Sequence, residues 1–178
     1  MIKEKFEIAK KKLETKSYQE SKILLKEIIA EEPNHFGSHF LLGSLCGLLN
    51  EKEMALKYLY LAKDIDPSNL NTYFNIGLIY KKIKEPIKAK KYLEKVLNIE
   101  ANHIGSLCAL GQLHEEENDL IKAKNKYEKA INCESKNKLA CQLYGKILLR
   151  LNEHEKGLKF MKISSGFIRF TNQKIEMI

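Results

Sequence analysis

The chain has 178 residues, of which 44% are hydrophobic and 30% charged, and its formal net charge is +8. This size suits one folded domain, and three Pro and nine Gly are too few for a loop-rich β-sandwich or a disordered linker. No apolar run approaches the roughly 18 residues that a membrane span needs. The charged start, MIKEKFEIAKKK, lacks the apolar core of a secretory signal, so we expect a cytoplasmic protein with reduced cysteines.

An internal repeat of 34 residues runs through the sequence. Glycines recur at this interval, and a second column of small residues lies twelve positions after them. The glycines are Gly43, Gly77, Gly111 and Gly145, and the second column holds Ser21, Ala55, Ala89, Ala123 and Gly157. We therefore divide the chain into repeats of about 2–35, 36–69, 70–103, 104–137 and 138–170.

The first repeat departs from the pattern in its first helix, and later repeats carry a candidate N-cap before their second helix. In the first, Lys5 and Lys12 occupy the columns that hold Tyr73 and Tyr80 in the third, as expected for a terminal repeat whose outer face meets water. In the second, Asn50 precedes the second helix, where we expect it to be the N-cap. Asn118 and Asn152 occupy the same column and carry the same expectation.

The third repeat shows the helical pattern most clearly. Its first segment, 70–83, places four residues on one helical face, namely Tyr73, Ile76, Gly77 and Tyr80. Its second segment, 86–99, starts with Pro86, which suits the first turn of a helix. A small residue in each first helix facing a small residue in the second would let the two helices approach closely. Each pair then keeps an apolar flank that only the next pair can cover.

These columns resemble the tetratricopeptide repeat (TPR). The resemblance covers roughly residues 2–170. The second repeat carries Leu42, Gly43, Ala55, Leu59, Ala62 and Pro67; the third carries Tyr73, Ile76, Gly77, Tyr80, Ala89, Leu93 and Val96; the fourth carries Leu107, Leu110, Gly111, Ala123, Tyr127 and Ala130. The fifth departs from the pattern at Gly157, Ser164 and Arg169. The resemblance implies an all-α, right-handed α-solenoid of about five TPR-like antiparallel helix pairs over residues 1–170.

The resemblance also implies a non-catalytic adaptor or scaffold without a cofactor, which binds an extended or helical segment of another protein. In this family the groove is lined by columns 2, 5, 6, 9, 12 and 13 of the first helices. We select candidates from columns 5, 6 and 9 of the central repeats: Phe40, Leu41, Ser44, Phe74, Asn75, Leu78, Cys108 and Gln112. The alternatives are that the phenylalanines pack between helices and that Asn75 serves the fold.

Other kinds of partner find less support in the sequence. TPR modules that grip the carboxylate terminus of heat-shock chaperones use converging cations, and of that pattern only Asn75 is present. The groove columns mix Glu115 and Glu116 with Lys81 and Lys82, which disfavours nucleic acid. Lysines crowd the second helix of the third repeat, on the outer face. The alternative function is a regulatory subunit of an enzyme complex that engages through this basic face or through the C-terminal tail.

The histidines and the tail complete the sequence-based expectations. His35 and His103 share one repeat column, which indicates a structural role, and neither has the spacing of a zinc site. We predict no metal and no catalytic residue. The tail, 165–178, is apolar at Phe167, Ile168 and Phe170, among others. It either caps the last repeat or docks on a second copy to give a homodimer.

Overall fold

The computed structural model describes residues 1–165, 168–171 and 174–177. Helices make up the repeats: α1 (Ile2–Glu14), α2 (Tyr18–Glu31), α3 (Phe36–Leu48), α4 (Lys52–Ile65), α5 (Leu70–Lys82), α6 (Pro86–Ile99), α7 (Ile104–Glu116), α8 (Leu120–Cys133), α9 (Lys138–Arg150) and α10 (His154–Ser165). The predicted all-α helical repeat is confirmed, and α6 begins at its proline as expected. Two short antiparallel strands, which we did not predict, follow: β1 (Ile168–Thr171) and β2 (Lys174–Met177).

The chain divides into two compact units, Met1–Tyr92 and Leu93–Ile178. In the first unit α1 packs on α2, α2 on α3, α3 on α4 and α4 on α5, and α3 also contacts α5. In the second unit α7 packs on α8, α8 on α9 and α9 on α10, and α7 also contacts α9. In these pairs a helix contacts its neighbours in the sequence, which is how helical-hairpin repeats are stabilised.

One residue between the two helices of each pair has a left-handed backbone. These residues are Lys16, Asn50, Lys84, Asn118 and Asn152, with φ between 60° and 63°. The three asparagines therefore terminate the first helices, and the prediction that they cap the second helices is wrong. Asn tolerates this conformation better than most residues because its short amide can bond locally. The N-cap of α4 is instead Glu51, and that of α8 is Asp119, whose carboxylate accepts from the Lys122 N–H.

The first helices of the later repeats share another capping column. The Nδ1 atom of His35 accepts from the Ser38 backbone N–H at 3.1 Å, and His103 accepts from Ser106 at the same distance. Asn69 and Asn137 cap α5 and α9 in the same way through their amide oxygens. A side-chain acceptor satisfies an N–H that the helix leaves without a partner. The structural role predicted for the two histidines is therefore confirmed.

The small residues bring the paired helices together, as predicted. In the first repeat the Ser21 hydroxyl donates to the Ala9 carbonyl at 2.9 Å. At Gly43, the nearest obstacle to an added Cβ is the large residue opposite, with Leu59 Cγ at 2.8 Å. Gly111 similarly faces the fully buried ring of Tyr127. The glycines thus make room for a bulky side chain of the second helix as well as for its backbone.

A tyrosine cluster connects three helices within the first unit. The Tyr60 hydroxyl on α4 lies 2.8 Å from that of Tyr80 on α5 and 3.0 Å from that of Tyr92 on α6. The rings of Tyr80 and Tyr92 stack with centroids 5.7 Å apart. Burial, followed by these hydrogen bonds, raises the pKa of Tyr60 far above its ordinary value. The Tyr60 hydroxyl therefore stays protonated, and its two hydrogen bonds hold the three helices in register.

Candidate functional site

Six of the eight predicted groove residues lie on two first helices of one unit. Phe40, Leu41 and Ser44 are on α3, and the others, Phe74, Asn75 and Leu78, are on α5. All six side chains are half-buried. Because α3 and α5 are in direct contact, these side chains form one continuous strip within the first unit.

A chain of hydrogen bonds joins the two helices in this strip. The Asn75 side-chain amide donates to the Ser44 hydroxyl at 2.9 Å. The Ser44 hydroxyl in turn donates to the Phe40 carbonyl at 2.8 Å. Asn75 therefore does serve the fold, but this bond uses only one of its two amide hydrogens. The second amide hydrogen of Asn75 and its amide oxygen can form hydrogen bonds with the backbone of a bound segment.

Two phenylalanines of column 5, Phe6 and Phe40, contact other rings. Phe6, the equivalent residue of the first repeat, packs edge-on against His35, with ring centroids 4.9 Å apart. The Phe40 ring stacks on Phe36, with centroids 5.8 Å apart. Both rings nevertheless remain half-buried. Packing and exposure to a ligand are thus compatible at these positions.

A cavity of about 220 Å³ opens beside the strip. Among its lining residues are three of the predicted ones, Ser44, Asn75 and Leu78. The side chain of Leu48 also borders it, although this leucine is 62% exposed. An exposed leucine beside an apolar cavity is the type of surface that proteins use for binding. Gly47 contributes only backbone here, and a Cβ at this position would lie 2.7 Å from Ile79 Cδ1.

Lys82 supplies the positive charge at this cavity. Its Nζ donates to the Gly47 carbonyl at 2.9 Å, in the last turn of α3. Gly47, Leu48 and Lys82 were not among the predicted residues. They occupy columns 12 and 13, which the resemblance assigns to the groove but from which we selected no candidate. The column pattern could therefore have identified them.

The two remaining predicted residues, Cys108 and Gln112, lie on α7 in the second unit. Cys108 is 2% exposed and packs in the core of that unit with Ala140 and Cys141. Burial raises the pKa of its thiol to about 11, so the thiol is protonated at neutral pH. Gln112 is half-buried. Of the predicted residues, Cys108 is thus the one that is held in a core.

The same helix α7 carries an acidic residue with two partners. The Glu115 carboxylate accepts a hydrogen bond from the Tyr127 hydroxyl at 2.5 Å and pairs with the Arg150 guanidinium at 2.8 Å. Burial, together with this hydrogen bond, raises the pKa of Tyr127 well above its ordinary value. The arrangement joins α7, α8 and α9 within the second unit.

Two further properties concern metals and membranes. Among the side chains that the structure describes, those of residues 1–164, no three His, Cys, Asp or Glu are grouped so that they could hold a metal ion. None of the described helices combines the length and apolar character that crossing a bilayer requires.

The repeats match a known sequence profile. The tetratricopeptide repeat profile matches three consecutive stretches, 36–69, 70–103 and 104–137, which together cover more than half of the chain. The chain belongs to the tetratricopeptide repeat family. No match was found among curated protein sequences.

Solved structures of other TPR proteins share this fold. PilF of Pseudomonas aeruginosa aligns with a TM-score of 0.82 at 14% identity, over 93% of this chain and 75% of that one. MamA of Desulfovibrio magneticus RS-1 aligns with a TM-score of 0.76 at 20% identity, over 91% and 92% of the two chains. YrrB, described as a TPR protein with an unusual peptide-binding site, gives 0.66 at 13% identity, over 90% and 82%. At such low identity these likenesses concern the fold.

Proposed function

We propose that this TPR protein is a non-catalytic adaptor that holds a segment of another protein against α3 and α5 of its first unit. The observation that carries the proposal is the cavity beside the exposed Leu48, which has Ser44, Asn75 and Leu78 in its wall. When a partner covers an exposed apolar side chain and the open apolar space beside it, apolar surface is removed from water, which lowers the free energy of the complex.

The chemistry of the strip suits a peptide rather than a small polar substrate. Apolar side chains supply most of the surface, and the Ser44–Asn75 pair supplies isolated hydrogen-bonding groups. Recognition of an extended or helical segment uses this combination, since apolar pockets give specificity and amides bind the backbone. YrrB, which has the same fold and is described as having an unusual peptide-binding site, is consistent with the proposal.

The cysteines support a reducing location such as the cytoplasm. All four are free, and Cys46, Cys108 and Cys141 are buried, whereas Cys133 is exposed. An exposed thiol persists most readily where disulfides are kept reduced. We therefore retain the cytoplasm as the proposed location.

Affinity capture with two matched variants tests the groove. Leu48→Asp places a charge beside the cavity. Ile23→Asp, the control, places the same charge on α2, away from the cavity. The two native side chains are similarly exposed, Leu48 at 62% and Ile23 at 57%. We expect a partner captured by the wild-type protein to remain bound to the Ile23→Asp variant and to be lost from Leu48→Asp. Circular dichroism melting curves should be alike for both variants, because both substituted side chains are mostly in solvent.

The opposite result would favour the outer face. Lys88 and Lys91 on α6 are exposed, so the regulatory-subunit alternative has a basic surface to use. If a partner survives Leu48→Asp but is lost from Lys91→Glu, the groove proposal is wrong and this alternative replaces it. The predicted role of the tail, 165–178, in capping or dimerisation stays a prediction, because its side chains, including that of Phe167, lie outside what the structure describes.

A further inference from the structure

The chemistry of the cavity between α3 and α5 indicates what kind of segment it takes. Resting on the proposed function, we propose that the partner segment carries an aliphatic side chain, which enters this cavity, next to a carboxylate, which pairs with Lys82. The observations that support this are the size of the cavity, its apolar wall and the charge at its edge.

The cavity has room for one side chain. Its volume is about 220 Å³, and an apolar cavity of roughly 150 Å³ already holds a molecule the size of benzene. Its apolar wall includes Leu48, Leu59, Leu78 and Ile79. Gly47 contributes only backbone to the wall, and the end of the Ile79 side chain packs directly against it, since an added Cβ would lie 2.7 Å from Ile79 Cδ1. A leucine, isoleucine or methionine of a partner has a suitable size for the open volume that these residues border.

The charge at the edge of the cavity has one sign. Of the nine described residues that line it, Lys82 alone is charged. Helix α3 contains no Asp, Glu, Lys or Arg, and the charged residues of α5 are Lys81 and Lys82. A partner that brings a cation would meet repulsion here, whereas a carboxylate would gain a charge-assisted hydrogen bond.

Lys82 is oriented for such a bond. Its hydrogen bond to the Gly47 carbonyl fixes the ammonium at the rim and uses one of its three hydrogens. Two donors remain for an incoming acceptor. The hydrogen-bonded amide of Asn75 lies in the wall of the same cavity and can contact the adjacent backbone of the segment. Apolar burial and ion pairing would thus be combined within one or two residues of the partner.

Selection from a display library of random twelve-residue peptides tests the inference. We expect enriched peptides to place Leu, Ile or Met within two positions of Asp, Glu or the free C-terminus. Synthetic copies with an amidated or a free C-terminus then distinguish a side-chain carboxylate from a terminal one. Enrichment of basic peptides, or of apolar peptides without any carboxylate, would overturn the inference.

Three variants locate the contact. Lys82→Glu should weaken binding of the selected acidic peptide about tenfold or more, since like charges would then face each other. It should also gain affinity for a copy in which the acidic residue is replaced by Lys, a charge swap that a purely structural role would not produce. Gly47→Ala should weaken binding of the acidic peptide, because the added methyl group displaces the end of Ile79 in the cavity wall. Lys91→Glu, on the outer face of α6, should leave both affinities unchanged.

The outcomes separate this inference from the proposed function. If peptide binding is lost with Leu48→Asp but is unaffected by Lys82→Glu, the carboxylate inference is wrong and peptide binding in the groove stands. If no library peptide is enriched, or if enriched peptides bind Leu48→Asp and Gly47→Ala as well as the wild type, both proposals fail.

Discussion

The Lys22 ammonium on α2 binds both carboxylate oxygens of Glu51, with Nζ–O distances of 2.7 and 2.5 Å. The same contact recurs three repeat periods later, where Lys124 Nζ lies 2.6 Å from Glu153 Oε1. In each case a lysine of one second helix reaches the residue that precedes the second helix of the next repeat. The pair thus joins consecutive repeats within each unit.

The first prediction concerns the pH dependence of this ion pair. The hydrogen bond from Lys22 is the main cause that lowers the pKa of the Glu51 carboxyl below its ordinary value. A carboxyl with a lowered folded-state pKa stabilises the protein above its unfolded-state pKa, and this stabilisation is lost as the pH falls through the folded value. We expect Lys22→Met to destabilise the protein at neutral pH and to have progressively less effect towards about pH 3. Urea unfolding midpoints across this range measure the difference. Lys129→Met, which removes an exposed lysine of α8, is the control. A Lys22→Met effect that does not change with pH would contradict the prediction.

The second prediction compares two glycines. A Cβ at Gly111 would overlap the Tyr127 ring, which is fully buried and held by its hydrogen bond to Glu115. Gly111→Ala should therefore lower the free energy of unfolding by about 1–3 kcal/mol, the usual effect of overpacking. Gly47→Ala meets only the terminal methyl of Ile79, which can move, and Ala favours the helix by about 1 kcal/mol. We expect this variant to be about as stable as the wild type. Denaturant unfolding of the two variants checks the contrast, and equal effects would refute the packing argument.

The third prediction concerns thiol reactivity. Burial, as the main cause, raises the pKa of both Cys46 and Cys108 to about 11, and Cys141 is also buried. The thiolate is the reactive form, and Cys133 is the exposed cysteine. Iodoacetamide at about pH 8 should therefore add one adduct to the native protein, at Cys133, and four adducts after denaturation. Intact-mass spectrometry reads the result. Rapid native labelling of Cys108 would mean that the core of the second unit opens readily.

The fourth prediction tests the histidine caps. His35→Ala should lower the free energy of unfolding by about 1 kcal/mol, because the Ser38 N–H would lose its side-chain acceptor. His35→Asn should preserve stability, since Asn69 and Asn137 cap the equivalent helices. Thermal melts of both variants provide the measurement. Equal destabilisation by Ala and Asn would show that His35 has a role other than capping.

The periodic features of the chain could be predicted from the sequence because they depend on side-chain volume and helical spacing alone. Pro86 begins α6 where expected, and Gly43 allows the close approach of its paired helix. The role of Asn50 could not be settled in this way. Asn is favourable both as an N-cap and in the left-handed conformation, and the choice depends on how the turn closes.

The contacts between repeats were harder to predict. The cavity is lined by residues of both helices, among them Gly47 of α3 and Ile79 and Lys82 of α5. Recognising it required knowledge of which residues of α3 and α5 face each other. The Lys22–Glu51 pair likewise joins residues of different repeats, and its geometry depends on how the two hairpins dock. The two strands after α10 have no counterpart in the repeat pattern from which they could have been inferred.

The residues with a left-handed backbone between paired helices are positions at which substitution could raise the stability of the protein. Lys16 and Lys84 adopt the left-handed conformation although lysine has no preference for it, whereas the other three positions are Asn. A left-handed conformation costs an ordinary L-residue roughly 1 kcal/mol or more, and glycine adopts it freely. Exchanging these two lysines for glycine should therefore raise the free energy of unfolding, and Lys16 is the site that lies away from the cavity, because Lys84 is only two residues from Lys82.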